Sequence, residues 1–101
     1  MSDSAFETLA DSLLAALEEA LGNHADAELQ GGVLNVEADD GTWVVNKHAP
    51  TQQIWLSSPL SGARHYAFDS RSGQWKDTRG GPDLLALLSV ELGVRLEWDQ
   101  R

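Results

Sequence analysis

A chain of 101 residues, of which 42% are hydrophobic, is long enough for one buried core but too short for two. We therefore expect a single domain over residues 1–101. The absence of cysteine excludes disulfide bonds, thiolate metal sites and cysteine nucleophiles. No apolar run is long enough to cross a membrane, and the acidic N-terminus lacks the basic residues of a leader peptide, so a soluble cytoplasmic protein is the simplest interpretation.

The formal net charge of −9 is distributed unevenly along the chain. Residues 1–46 contain ten acidic residues and no Lys or Arg, whereas residues 47–101 contain six acidic residues and seven Lys or Arg. A strongly acidic region repels nucleic acid and attracts cations or a basic protein surface. The charge pattern therefore argues against DNA or RNA binding and favours a cation or a basic partner.

Apolar residues recur at helical spacing over residues 4–21, and Gly22 follows as a stop signal. Ser4 and Glu7 have the spacing of a capping box, so we expect Ser4 to cap this helix. The helix is amphipathic, with carboxylates along one edge and the apolar stripe on another side. Within an arc of about 80° lie four acidic side chains, those of Asp3, Glu7, Asp11 and Glu18.

After this helix the apolar period changes to two, which is typical of strands separated by short turns. Short connections make neighbouring strands antiparallel. A second helix is predicted from Pro82 to Leu92, ending at Gly93, and residues 94–98 alternate like a final edge strand or an extended tail. The predicted strands are 33–38, 42–47, 52–58, 64–69 and 74–78, with a short leading strand at 27–30.

Two terminal helices around a run of strands predict an α+β fold, a two-layer sandwich in which both helices cover one face of a single antiparallel sheet of five or six strands. The other sheet face must then lie open to water. Strand alternation assigns one set of side chains to the core, namely Trp43, Val45, Ile54, Leu56, Tyr66 and Phe68. It assigns another set to the open face, namely Asn46, Gln53, Trp55 and His65.

Trp55 is the informative member of the open face, because an exposed aromatic among polar neighbours is a common anchor for a protein partner. The alternative is that a neighbouring loop buries it. The other three tryptophans are interpreted as core or edge packing.

The central part of the chain resembles the frataxin family. The matching residues are Gly32-Val33-Leu34, Asn46-Lys47, Pro50, the run Gln53-Ile54-Trp55-Leu56-Ser57-Ser58-Pro59, and Ser61-Gly62. The opening Asp3-Ser4-x-Phe6 and Leu9-Ala10-Asp11 are similar to the bacterial branch of that family. The resemblance covers nearly the whole chain and implies an α-helix, an antiparallel sheet and a second helix.

The resemblance also implies iron bound weakly and exchangeably, as Fe²⁺ with Fe³⁺ as an alternative. The ligands would be the carboxylates of an acidic ridge, which comprises Asp3, Glu7, Asp11, Glu18, Glu19, Asp26 and Glu28, with Glu37, Asp39 and Asp40 on its margin. Gly22-Asn23-His24 occupies a segment that is richer in aspartate in many bacterial relatives, so metal affinity is expected to be lower. His24 is open to two interpretations, a metal ligand or a solvated side chain.

Family members act in iron–sulfur cluster assembly, where they bind the cysteine desulfurase and the scaffold protein. The resemblance implies that the ridge, with Glu18 and Glu19, docks the desulfurase and that Asn46, Gln53, Trp55 and His65 meet the scaffold. Many relatives carry a basic residue at the position of His65. A monomer is expected, with iron-dependent oligomers as the alternative, and a mitochondrial matrix-type compartment is implied if a leader has been removed.

Three alternatives stay open at this stage. The acidic residues are a solvated face in the simplest interpretation, since runs of charge usually are. An iron store or ferroxidase is the second possibility, because weak ferroxidase activity has been attributed to some relatives. A generic acidic interaction domain without a metal role is the third. No catalytic constellation is apparent, because Glu18 and Glu19 point about 100° apart on a helix and no Gly-rich phosphate loop precedes a helix. We therefore expect no dedicated enzyme.

Overall fold

The structure, a computed structural model, describes residues 1–98, which form two α-helices and one six-stranded sheet. The strands lie in chain order, each antiparallel to the next. This confirms the predicted α+β class. In chain order the elements are α1 (Asp3–Leu21), β1 (Asp26–Gln30), β2 (Val33–Ala38), β3 (Gly41–His48), a 3-10 turn (Ala49–Thr51), β4 (Gln53–Ser58), β5 (Gly62–Asp69), β6 (Gln74–Asp77) and α2 (Leu84–Leu92).

Helix α1 begins earlier than its capping pattern suggested. Ser2 has extended backbone angles, and its hydroxyl accepts a hydrogen bond from the Ala5 amide at 3.1 Å. The prediction that Ser4 caps the helix is therefore wrong, because Ser4 already has helical geometry and Ser2 satisfies the free amide. The apolar stripe is buried as predicted, through Phe6, Ala10, Leu13, Leu14, Leu17 and Leu21.

The predicted strands are present, with small shifts at their ends. The main departure is Gln52: the alternation predicts it at the start of a strand, but it has a left-handed backbone with φ of 54° after the 3-10 turn. Its side-chain amide donates to the Met1 carbonyl and to Asp3 Oδ1 at 2.9 Å. The turn therefore ties the start of β4 to the start of α1. Thr78 also lies beyond β6, although its amide donates to the His65 carbonyl.

Helix α2 starts at Leu84 rather than at Pro82, because the Asp83 side chain caps it by accepting from the Ala86 amide at 2.9 Å. Gly93 ends it in a left-handed conformation, as expected. Residues 94–98 form no strand, so the extended tail is the correct alternative. Trp98 packs on the core beside Phe68 and Trp75.

One hydrophobic cluster joins both helices to a single face of the sheet. All six side chains that alternation assigned to the core lie in it; five are buried, and Phe68 packs partly buried against them. Trp43 and Trp75 are each 1% exposed, which confirms their predicted role in packing. The opposite sheet face carries no helix among residues 1–98.

Glu91 links α2 to two strands. Its Oε1 accepts from the Trp43 indole nitrogen at 2.9 Å and from the Ser58 hydroxyl at 2.6 Å. Burial raises the pKa of Glu91, but the hydrogen bonds from Ser58, Trp43 and Ser61, together with the charge of Arg64, hold the pKa below its usual range. The carboxylate therefore stabilises the fold above the ordinary pKa of a glutamate, and this contribution is lost as the pH falls through the lowered value.

We predict that Glu91→Ala lowers the free energy of unfolding at pH 7 by about 1–3 kcal/mol, because it leaves the Trp43 and Ser58 donors unpaired. Urea denaturation would measure this free energy. The difference in unfolding free energy between Glu91→Ala and the wild type should become smaller below about pH 4. Glu97→Ala, an exposed glutamate in the tail, is the control. A loss no larger than that of the control would contradict the assignment.

Candidate functional site

The seven carboxylates of the acidic ridge fall into two groups in the structure. Asp3, Glu7, Asp11, Glu18 and Glu19 lie along α1. Asp26 and Glu28 lie on β1, where the register pairs the intervening Ala27 with the buried Val36. Because neighbouring side chains of a strand point to opposite faces, Asp26 and Glu28 lie on the open sheet face, away from α1. The ridge therefore bends around the β1 edge of the sheet.

The acidic margin follows the second group. Glu37 is paired directly with Asp26 across β1 and β2, so two like charges are adjacent on the open face. Asp39 and Asp40 are exposed in the turn that follows β2. His24 is exposed beside this turn and lines an open cavity with Glu37, Asp39 and Asp40. Whether His24 is a ligand or a solvated side chain stays a prediction.

Lys47 is an internal counter-ion for the ridge. It lies on the same face of β3 as Trp43 and Val45, so its side chain reaches toward α1. Its ammonium forms ion pairs with Glu7 and, at 2.8 Å, with Asp11. Hydrogen bonds to Asp11 and Glu7 raise the pKa of Lys47 despite some burial. Two of the seven predicted ligands therefore already share a single cation as their ion-pair partner.

Two further ridge carboxylates have structural partners. Glu18 Oε2 accepts from the Leu29 amide at 2.8 Å and so holds the outer strand β1 against α1. Asp3 Oδ1 accepts from Gln52. Among residues 1–98, no hydrogen bond or ion pair engages the carboxylates of the remaining three, Glu19, Asp26 and Glu28.

Within the same described part of the chain, no group of three or more His, Asp or Glu side chains is arranged to hold a metal ion. Carboxylate oxygens nevertheless suit hard or borderline divalent cations, and several of them on one surface raise the local cation concentration. The role of the seven carboxylates as ligands stays a prediction.

Trp55 lies on the open face, as alternation predicted, but histidines rather than a loop cover it. The His48 ring stacks on the indole with centroids 3.6 Å apart and planes 10° apart. The His65 ring stacks at 4.3 Å and 9°. The indole nitrogen donates to Gln53 Oε1 at 2.8 Å. Two imidazole rings thus stack on the indole, and Trp55 is only partly exposed.

The register explains this cluster. Asn46, Trp55 and His65 are directly paired across β3, β4 and β5, so three of the four predicted docking residues form one row. Gln53 lies two residues further along β4 on the same face, opposite His48. The turn signal around Pro50 predicts His48 in a turn, but its separation from Asn46 by two residues places it on the same face of β3. Its Nδ1 lies 2.8 Å from the Thr51 hydroxyl, which restrains the ring.

Arg64 lies on the opposite sheet face from His65, as alternation predicted. Its guanidinium forms an ion pair at 3.0 Å with Asp77, whose side chain is 3% exposed. Burial, followed by the charge of Asp77, raises the pKa of Tyr66 well above the usual range of a phenol. The Arg64–Asp77 ion pair links the start of β5 to the end of β6.

Two helices on one face of an antiparallel sheet, with a carboxylate-rich first helix, define a class of small α+β proteins with an acidic edge. The sequence profile of the frataxin-like domain matches residues 1–97. The chain belongs to the frataxin family. This confirms the resemblance noted in the sequence.

Individual relatives agree with the family assignment. The chain is 38% identical over 92 residues to the mitochondrial frataxin homologue of Schizosaccharomyces pombe, which covers 90% of this chain but 58% of that protein. The chain thus spans little more than half the length of that curated relative. Neither α-helix of residues 1–98 is both long enough and apolar enough to span a bilayer.

Two solved structures are similar to the chain over most of its length. Frataxin from Psychromonas ingrahamii has a TM-score of 0.79 at 31% identity and covers 91% of this chain and 89% of its own. Trimeric frataxin from Saccharomyces cerevisiae, solved in complex with ferrous iron, has a TM-score of 0.62 at 39% identity, with coverage of 90% and 80%.

We predict that Lys47→Met lowers the free energy of unfolding by about 0.5–1 kcal/mol at low salt, because Glu7 and Asp11 are then left as uncompensated neighbours. Denaturation in urea at low and high ionic strength would measure it, and salt should reduce the difference. Lys76→Met is the matched control, since Lys76 forms one exposed pair with Asp69. Equal losses of unfolding free energy in the two variants would show that Lys47 stabilises the fold no more than an ordinary exposed ion pair does.

Proposed function

We propose that residues 1–101 act as one frataxin-like domain that binds Fe²⁺ weakly on the acidic ridge and takes part in iron–sulfur cluster assembly. In this role it regulates the complex of cysteine desulfurase and scaffold protein and is a candidate iron donor. The observation that carries the proposal is the concentration of exposed carboxylates on α1 and the β1 edge in a chain of the frataxin family. The solved yeast relative in complex with ferrous iron supports the choice of metal.

Iron is cargo in this proposal rather than a resident cofactor. The unpaired carboxylates of Glu19, Asp26 and Glu28 would attract Fe²⁺ first, because Lys47 competes for Glu7 and Asp11. An ion held by a few carboxylates and water exchanges readily, which suits transfer to a second protein. Where Lys47 pairs with the ridge, the metal must displace an ammonium, and its affinity there is reduced accordingly.

The two proposed docking surfaces face different directions. The exposed carboxylates of α1 would meet a basic patch of the desulfurase, with a salt-dependent association rate. The open sheet face around Trp55 would meet the scaffold. Regulation of the assembly complex requires the domain to contact both proteins, and the separation of these surfaces is compatible with simultaneous contact. The compartment would be the one in which clusters are assembled, the bacterial cytoplasm or the mitochondrial matrix.

A second candidate function is iron storage with ferroxidase-type detoxification. The trimeric state of the similar yeast frataxin favours it, because a store holds its metal through oligomers. Aerobic Fe²⁺ addition followed by size-exclusion chromatography separates the two candidates. A monomer that leaves Fe²⁺ largely unoxidised supports the assembly role, whereas iron-loaded oligomers support storage.

We predict that Glu19→Lys weakens Fe²⁺ binding roughly two- to fivefold, since it reverses one of several exposed charges within a Debye length of the site. The measurement is an anaerobic Fe²⁺ titration followed by amide NMR, in which paramagnetic broadening locates the metal. Glu19 is a sharper choice than Glu18, because changing Glu18 would also remove its bond to the Leu29 amide.

Two variants control this titration. Glu97→Lys reverses an exposed charge in the tail and should leave the broadening unchanged. Lys47→Met should extend it to the first half of α1 and raise the affinity. If Glu19→Lys and Glu97→Lys behave alike, the ridge is a solvated face without a metal role.

We predict that Trp55→Ala weakens binding to the scaffold protein roughly tenfold or more, as expected for an aromatic residue at the centre of an interface. Isothermal titration calorimetry would measure the affinity, with thermal unfolding as the check on the fold. Ser57→Ala is the control, because Ser57 is exposed and lies two residues from Trp55 on the same face of β4. Unchanged affinity of Trp55→Ala would remove the open face from the proposal.

A further inference from the structure

A cavity of about 420 Å³ opens at the end of the β5–β6 hairpin, next to the Trp55 cluster. Its polar lining comes from Ser61, Arg64, His65, Asp77, Thr78 and Arg79. In a chain with a net charge of −9, two arginines around one cavity are an exception. We propose that this cavity receives a carboxylate side chain of the partner protein that docks on the open sheet face.

The charges of the cavity are not balanced by the residues that the structure describes. Asp77 Oδ2 pairs with Arg64 Nη1, and Asp77 Oδ1 accepts from the Arg79 backbone amide. Among residues 1–98, no carboxylate lies within 4.0 Å of the Arg79 guanidinium. The buried Asp77 carboxylate thus pairs with Arg64 alone, and Arg79, which also lines the cavity, keeps a planar guanidinium fork that matches a second carboxylate.

The acidic ridge does not cancel this positive charge. Glu28 and Ala63, which lines the cavity, lie in one row across the open face, separated by four strand spacings. At about 4.8 Å for each spacing they are roughly 19 Å apart. The Debye length at physiological salt is about 8 Å, so the field of the ridge is largely screened at the cavity.

His65 connects the cavity to the docking surface. Its ring stacks on Trp55 while the same residue lines the cavity. A partner that covers Trp55 therefore places its next side chains, about one strand spacing of 5 Å away, at the cavity mouth. Charge complementarity then selects an aspartate or glutamate at that point of the partner. This inference rests on the proposed docking role and specifies the chemistry of the partner.

Arg79→Glu is the test variant, and the chain provides a closely matched control. Arg79 and Arg71 are both exposed, and each follows an aspartate by two residues and donates its backbone amide to that side chain. Arg71 lies in the turn at the other end of the same hairpin. Arg71→Glu therefore makes the same charge change on the same hairpin, away from the cavity.

The first measurement is direct and needs no partner. Amide NMR of the full chain is followed during titration with a capped tetrapeptide that carries two glutamates, with the glutamine version as the uncharged probe. The glutamate peptide should shift the amides of Ala63, His65 and Thr78 in the wild type and in Arg71→Glu, and not in Arg79→Glu. The proposal is overturned if Arg79→Glu keeps the shifts, or if inorganic phosphate reproduces them at the same concentration, which would indicate a site for free anions.

The second measurement is the affinity for the scaffold protein. Arg79→Glu should weaken it roughly fivefold at low salt, and Arg71→Glu by much less. If Trp55→Ala weakens binding while Arg79→Glu does not, the docking role stands and the carboxylate pocket is rejected. If the peptide shifts depend on Arg79 but the scaffold does not bind the wild type, the pocket stands and the proposed partner is rejected.

Discussion

The structure depends on the burial of a single sheet face. Both helices pack on that face, so every strand is divided into core positions and positions that lie open to water. A shift of one residue in the register would move Trp43 and Tyr66 out of the core and Trp55 and His65 into it. The same alternation that secures the core therefore also assembles the row of side chains proposed as a docking surface.

The distribution of charge does not follow the division of the sheet into a core face and an open face. The acidic ridge bends from α1 to the open face at the β1 edge, whereas the positive charge of Arg64 and Arg79 lies at the start of β5 and the end of β6. Lys47 is the exception, a cation among the acidic residues. Because it pairs with Glu7 and Asp11, the ridge carboxylates that have neither an ion pair nor a side-chain hydrogen bond among the described residues lie toward Glu19 and the β1 edge. The number of carboxylates on such a ridge is thus a poor measure of how many cations it can bind, unless the ion pairs within the chain are also known.

Sequence patterns were sufficient for the fold, because each element carries a local signal such as the stripe of α1 or the alternation of β4. They were insufficient for the site wherever partners are distant along the chain. The bonds from Glu18 to the Leu29 amide and from Lys47 to α1 depend on tertiary approach. His48 carried a usable signal, its parity with Asn46. Gln52 carried none, because its left-handed backbone follows from the 3-10 turn before it.

The cluster around Trp55 suggests how a surface aromatic residue can remain accessible without promoting aggregation. A bare indole on an open sheet face is an aggregation liability, whereas stacked imidazoles cover its π-faces and Gln53 accepts its N–H. A partner must compete with these contacts, and His48 is additionally restrained through Thr51. No ring hydrogen bond holds His65 among the described residues, and His65 also borders the cavity with Arg79. The less restrained side of the cluster is therefore the side on which positive charge would receive a partner's carboxylate.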